Sequence, residues 1–336
     1  MTTKPGPKAF SQTLADLAND HYPPSRQDLI ALSDLGGKQL EQFAQVWPSF
    51  AVARRLAILT ELGDMAEDSF ELDIRAVSRA ALDDDEGAVR AAAIRNLWEN
   101  EGEDLIDVFI NTINHDPAVE ARAAAVTALG QYVFLGEMEE LDEAKARQVE
   151  DVLLNVWAGS DELDVRRRAV EALGFSGRSE ATAAIEDAYD SDDEQMKVSA
   201  LFAMGRSLDP GRWGSIVIAD ITDTSPQIRF EAARAAGELQ LRDAVPALRE
   251  VMHDADGEVE EMTVWALGEI GGDEAREALN WRLEDADDDL GELIEDALAN
   301  VEFMDEISDL TLMAFDEEED DDDGDDDEIA RKARLN

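Results

Sequence analysis

The chain contains no cysteine. That removes disulfide frameworks, thiolate metal sites, a cysteine nucleophile and any thioether attachment of a prosthetic group to this chain. Basic residues are scarce: 29 Lys and Arg stand against 80 Asp and Glu, for a formal net charge of -51. A potential of that sign repels nucleic-acid phosphates and anionic lipid, so nucleic acid and membrane surfaces are excluded as general partners and basic proteins are favoured. Long apolar runs are absent too; pure aliphatic stretches such as Ile216–Ala219 fall far short of the roughly 20 residues of a membrane-crossing helix. The opening residues, Met1 to Lys8, have no apolar stretch behind their charges and do not read as a secretory signal, so the expected location is cytoplasmic. Beyond residue 49 proline occurs only at Pro117, Pro210, Pro226 and Pro246, alanine is abundant, and no window alternates with period two. The fold class is therefore all-α.

A single core rarely grows past about 250–300 residues, so 336 residues imply either two domains or an elongated repeat array. Repeats are present. Asp116–Gly130, Asp223–Gly237 and Asp254–Gly268 superimpose without gaps, each running from an aspartate to a glycine fourteen positions on. The glycine position recurs as Gly63, Trp98, Gly130, Gly174, Gly205, Gly237, Gly268 and Ala299, a period of about 31 residues. The step from Gly130 to Gly174 is about a dozen residues too long, which places an insertion at about 131–147, either a long loop or an extra short helix.

Within a repeat, Asp116, Asp223 and Asp254 precede a helix and can accept its orphan amide hydrogens, while alanines and aliphatics at i, i+3, i+4 and i+7 line one buried stripe. Turns such as Gly271-Gly272-Asp273 then lead into a second helix. One such hairpin cannot bury its apolar stripe alone, so stability must come from stacking. The expected organisation is a flexible segment 1–24, a helical cap 25–47 opened by Ser25-x-x-Asp28, a repeat region 48–315 and a disordered acidic tail 316–336 with a short basic end, Ile329–Leu335. Val301, Phe303, Met304, Ile307, Leu310, Leu312 and Met313 suggest a closing amphipathic helix.

The Asp-Pro-x-x-x-Val-Arg-x-x-Ala-x-x-Ala-Leu-Gly type of signature resembles the short HEAT-like repeats first associated with phycobilisome lyases, over about residues 48–303. The resemblance implies a right-handed α-solenoid of about eight HEAT-like helical hairpins. Repeats of this type serve scaffolds, bilin lyases and their chaperone-like relatives, a di-iron hydroxylase and a DNA glycosylase class, so the fold alone does not assign a function.

Two features carry charge in a pattern. Arg90, Arg122, Arg166, Lys197 and Arg229 all stand eight residues before the glycine position, and the series ends at Glu260 and Gly291. Stacking aligns them as a ladder, either an anion-binding stripe or a set of bonds to Asp or carbonyl groups of adjacent repeats. The second feature is the run Asp316, Glu317, Glu318, Glu319, Asp320, Asp321, Asp322, Asp323, Gly324, Asp325, Asp326, Asp327, Glu328. Its twelve acids cannot pack a core. They are candidates for contact with a basic partner, or they only solubilise and shield the chain. The run is not an EF-hand, because Gly324 at the sixth loop position places Ala330 where the bidentate glutamate belongs.

Without these twelve acids the rest of the chain is still strongly acidic, through residues such as Glu103, Asp104, Asp107, Glu180, Asp187, Glu250, Glu274 and Glu277; partner binding and salt adaptation both explain such a surface. Six tryptophans, Trp47, Trp98, Trp157, Trp213, Trp265 and Trp281, read first as packing between helical layers and second as aromatic pockets for extended peptides. None of His21, His115 and His253 is followed by glutamate, so the paired His-Glu motifs of the HEAT-like di-iron hydroxylases are missing, and no Gly-x-Ser-x-Gly, Gly-x-Gly-x-x-Gly or Walker motif occurs. No catalytic, cofactor-binding or metal residue is assigned. The expected function is a noncatalytic protein-interaction scaffold or assembly factor for basic or extended protein segments, with no cofactor; the alternative that the resemblance implies is a bilin lyase or phycobiliprotein chaperone-like subunit.

Overall fold

The computed structural model describes residues 9–304 except 68, 70, 99–101, 160 and 161. Among the described residues every regular element is helical. The chain forms two compact units, residues 1–191 and 192–336. Unit 1 holds α1 (Phe10–Leu17), α2 (Arg26–Ile30), α3 (Gly37–Val46), α4 (Val52–Glu67), α5 (Arg75–Ala80), α6 (Gly87–Arg95), α7 (Asp104–His115), α8 (Val119–Glu137), α9 (Glu143–Ala158), α10 (Leu163–Ala172) and α11 (Ser179–Tyr189). Unit 2 holds α12 (Glu194–Arg206), α13 (Pro210–Asp220), α14 (Pro226–Glu238), α15 (Val245–Glu250), α16 (Gly257–Ile270) and α17 (Gly272–Leu283), followed by α18, which spans 288–304. The fold is an all-α solenoid of stacked helical hairpins.

The even-numbered helices from α4 to α18 carry the glycine position or lead directly into it. In unit 1, α4, α6, α8 and α10 pack one on the next; in unit 2, α12, α14 and α16 do the same, with the odd-numbered helices as a second layer. The reason for glycine is now visible. A methyl group on Gly237 would lie 2.9 Å from the Ala266 Cα and 2.8 Å from the Trp265 ring; on Gly268, 3.0 Å from the Ala297 Cβ; on Gly130, 3.3 Å from the Ala172 Cα. Each glycine thus meets an alanine two positions before the glycine position of the following repeat. Glycine costs about 1 kcal/mol in a helix interior relative to alanine. It is kept because larger side chains would separate the two backbones. Left-handed geometry is needed elsewhere, at Gly271 (φ 65°) and Gly272 (φ 81°) between α16 and α17.

Three expectations need correction. The segment 1–24, read as flexible, contains α1, whose Leu14 and Leu17 are buried in one cluster with Leu29, Leu32, Phe43 and Trp47. The guanidinium of Arg54, itself 6% exposed, then ties residues 19–22 down through bonds to the Asn19 and Tyr22 carbonyls.

The insertion is neither a long loop nor an extra helix. It lengthens α8 to 19 residues and α9 to 16, because Tyr132, Val133 and Leu135 prolong the buried stripe and the Tyr132 hydroxyl donates to the Gly102 carbonyl at 3.0 Å.

The aspartates Asp116, Asp223 and Asp254 do not cap the first helical turn. They stand two residues before the N-caps Ala118, Ser225 and Asp256 and accept the N–H of the N-cap residue itself at 2.8, 2.8 and 2.9 Å. This is a side-chain-closed turn at the entry to the helix. The acidic run 316–328, the basic end 329–335 and the apolar positions 307–313 lie outside the described residues.

Candidate functional site

The closed turn leaves the outer edge of each aspartate carboxylate free for the preceding repeat, and that is where the ladder reaches. Arg90 on α6 binds Asp116 with both Nε (2.7 Å) and Nη2 (2.6 Å), while its Nη1 donates to the Asp84 carbonyl at 2.6 Å. Arg229 on α14 repeats the pattern with Asp254, 2.7 Å at both contacts, and with the Asp223 carbonyl at 2.9 Å. One planar fork therefore clamps the loop that enters its own helix to the loop that enters the next one. Lys197 makes a looser version, 2.9 Å to Asp220 and 3.6 Å to Asp223. Arg122 donates to the Asp116 carbonyl at 3.0 Å. Arg166 donates to the Trp157 carbonyl at 3.0 Å and lies over the indole, 4.8 Å from its centroid. Where the ladder position becomes Glu260, the charges exchange: Arg282 of α17 comes to Glu260 at 2.9 Å and to the Met252 carbonyl at 3.1 Å.

Sequence reasoning missed the most buried rung. Arg55 stands eight residues before Gly63, in the same register as the others, and its Nη1 is 2.7 Å from the Asp84 Oδ2. Asp84 is completely buried there and also accepts the Trp47 Nε1–H at 2.7 Å and the Glu86 N–H at 3.0 Å. The register alone contains the signal.

Three rung carboxylates, Asp116, Asp223 and Asp254, are acidified. In Asp254 the hydrogen bonds from Arg229 hold the carboxyl below its ordinary value of 3.8. In Asp223 the Ser225 N–H does so first and Lys197 second. In Asp116 burial opposes ionisation, but bonds from Arg90 and the Ala118 N–H outweigh it. A carboxylate lowered on folding contributes stability that is complete above the unfolded value and is lost as pH falls through the folded one. Asp254→Asn is therefore expected to cost about 1.5–3 kcal/mol at pH 7, the range for hydrogen bonds to charged groups. The difference from the parent should shrink as pH falls below 3.8 and through the lowered folded value, as read by denaturant unfolding from pH 7 to 2. A pH-independent difference would contradict the assignment.

The tryptophans divide. Trp47 and Trp213 are buried, Trp157 is partly so, and Trp98, Trp265 and Trp281 are 51, 39 and 44% exposed. Packing between layers thus describes only some of them.

Of the acids on the odd-numbered helices and at their starts, Glu103 pairs with Lys145, Asp104 with Arg79, and Glu180 with Arg178. Asp107, Asp187, Glu250, Glu274 and Glu277 face solvent. Among the described residues no group of His, Asp and Glu is arranged to hold a metal ion, and no helix is long and apolar enough to cross a membrane.

Residues 216–299 match the family model for HEAT repeats. No curated protein matches the sequence. Among solved structures, the chain is similar to the complex of CpcE and CpcF of phycocyanin lyase from Nostoc sp. PCC7120, at 16% identity over 84% of this chain and 97% of that one, with a TM-score of 0.52. It is also similar to importin beta, at 15% identity over 87% of this chain and 48% of that one, with a TM-score of 0.47. A designed armadillo repeat protein in complex with the peptide (KR)4 matches at 19% identity over 58% of this chain and 99% of that one, with a TM-score of 0.39. At these identities the likeness is one of fold.

Proposed function

We propose that this HEAT-like repeat chain is a noncatalytic protein-interaction scaffold that engages basic or extended protein segments through its acidic helical surface, assisted by the acidic run 316–328. The observation that carries the reading is where the positive charge goes. Arg55, Arg90, Arg229 and Arg282, each at most 15% exposed, and Lys197, at 20%, are spent on ion pairs within the repeat stack. Meanwhile no Lys, Arg or His occurs anywhere from Leu283 to Ala330. Excess negative charge is left outside, and a field of that kind raises encounter rates with cationic partners.

The test uses the full chain and a fluorescein-labelled peptide with arginine at every third position, beside the same peptide with glutamate there. Fluorescence anisotropy should show binding of the arginine peptide alone, weakening steeply between about 0.05 and 0.5 M salt as screening shortens its reach. Deleting 316–328 should weaken binding most at the lowest salt. Absence of binding, or equal and salt-insensitive binding of both peptides, would overturn the reading.

A further inference from the structure

The stacked helices of unit 2 present three rows to solvent, at seven and three residues before the glycine position and one after it. On α16 these are Glu261, Trp265 and Glu269; on α18 they are Glu292, Asp296 and Asn300; on α14 they are Phe230, Arg234 and Glu238. Spacing of four residues places each trio on one helix face. Cross-helix contacts fix the register between neighbours: Asn300 Nδ2 donates to the Glu269 Oε1 and to the Gly268 carbonyl, both at 3.2 Å, and the Trp265 ring lies over Gly237 of α14. Glycine at that place gives the indole a ledge and leaves it 39% exposed.

We infer that this face of α16 and α18 is the docking surface for an arginine-bearing extended segment of a partner protein, an inference that rests on the scaffold reading above. Charge complementarity selects the occupant. Neither α16 nor α18 contains a Lys, Arg or His, while Asp296 is exposed in the same row as the indole and Glu261 and Glu292 in the row beside it. A guanidinium over the Trp265 ring gains cation–π attraction and, at the same place, carboxylate partners on either side. The aliphatic stem of an arginine finds Met262 and the 42% exposed Leu293, which stand at equivalent positions on the two helices. Helix rows about 8–10 Å apart match roughly three residues of an extended chain at about 3.1 Å each, so arginines three apart reach α16 and α18 together.

The face has a boundary. On α14 the row continues as Arg234, which is held by Glu231 and Glu238 and lies over the Phe202 ring at 4.2 Å. There Arg234 itself takes up the ring face and the carboxylates that an incoming guanidinium would need.

The experiment titrates the same arginine peptide against the full chain, Trp265→Ala, the charge-only variant Glu261→Gln/Asp296→Asn and the unit 1 control Asp107→Asn. Trp265→Ala is expected to weaken binding at least tenfold and the double variant at least fivefold, with the control unchanged. The double variant alters two exposed side chains and keeps the result readable if Trp265→Ala impairs folding. Parent-like affinity in both variants, with the parent binding normally, would overturn the docking face while leaving the scaffold reading intact. Failure of the parent to bind would remove both.

Discussion

Gly237→Val is expected to destabilise unit 2 by about 1–3 kcal/mol, the range for overpacking a close-packed contact, and Gly268→Val by a similar amount. A Cβ at 237 meets the Ala266 backbone at 2.9 Å and the Trp265 ring at 2.8 Å, so the neighbouring helix itself must move and not merely a flexible side chain. Gly237→Ala should also destabilise, although alanine gains about 1 kcal/mol of helix propensity. Its sign is informative because it opposes propensity. Gly257→Ala supplies the contrast: nothing lies within 4 Å of a Cβ there, at the first position of α16, and the variant should be neutral or stabilising. Thermal unfolding followed by circular dichroism distinguishes the two sites. Equal midpoints for Gly237→Val and the parent would mean that the helices do not touch through this seam.

Asp84→Ala carries the second large effect. The carboxylate is fully buried, with Arg55 at 2.7 Å and Trp47 Nε1 at 2.7 Å. Removing it leaves a guanidinium that is 8% exposed with its main counter-ion gone, and one-sided loss of a buried pair costs about 3–5 kcal/mol. Arg55 Nε already lacks a hydrogen-bond partner, so the site has little reserve. The double replacement Arg55→Met/Asp84→Leu should recover part of the loss, since an apolar pair removes the stranded charge while the Trp47 Nε1–H and the Glu86 N–H still lose their acceptor. A double variant no more stable than Asp84→Ala would show that the pair acts through something other than mutual compensation. Because the cluster joins Trp47 to the entry of α6, unit 1 should report the change and unit 2 should not.

The repeat was legible because stacking imposes the same chemistry at the same register many times. Asp254, Arg229 and Gly268 each recur at fixed offsets, and a one-dimensional period exposes them. What each residue does was less legible. A glycine fourteen residues after an aspartate reads as a helix end, and Gly237 is the last residue but one of α14; what that reading leaves out is its approach to Ala266, a contact set by a helix 31 residues away in sequence. The same distance dependence divides the tryptophans. Trp213 is 2% exposed and Trp265 39%, and only the neighbouring helix decides which. α1 escaped notice because Ala9 offers no side-chain cap and the helix has eight residues, even though Phe10, Leu14 and Leu17 already hold an apolar stripe. For the docking face, the acids and the set of six indoles were readable but not which indole stands exposed among the acids, since exposure of Trp265 follows from the glycine ledge beneath it.

The measurement that bears most directly on the docking of an arginine-bearing segment on α16 and α18 is carboxylate footprinting of the full chain, with carbodiimide coupling of an amine read by mass spectrometry, with and without the arginine peptide. Glu261, Glu292 and Asp296 should lose most of their labelling on binding, while Asp107 and Asp187 of unit 1, also exposed, keep theirs. Saturating peptide that leaves Glu261, Glu292 and Asp296 labelled as before would contradict it.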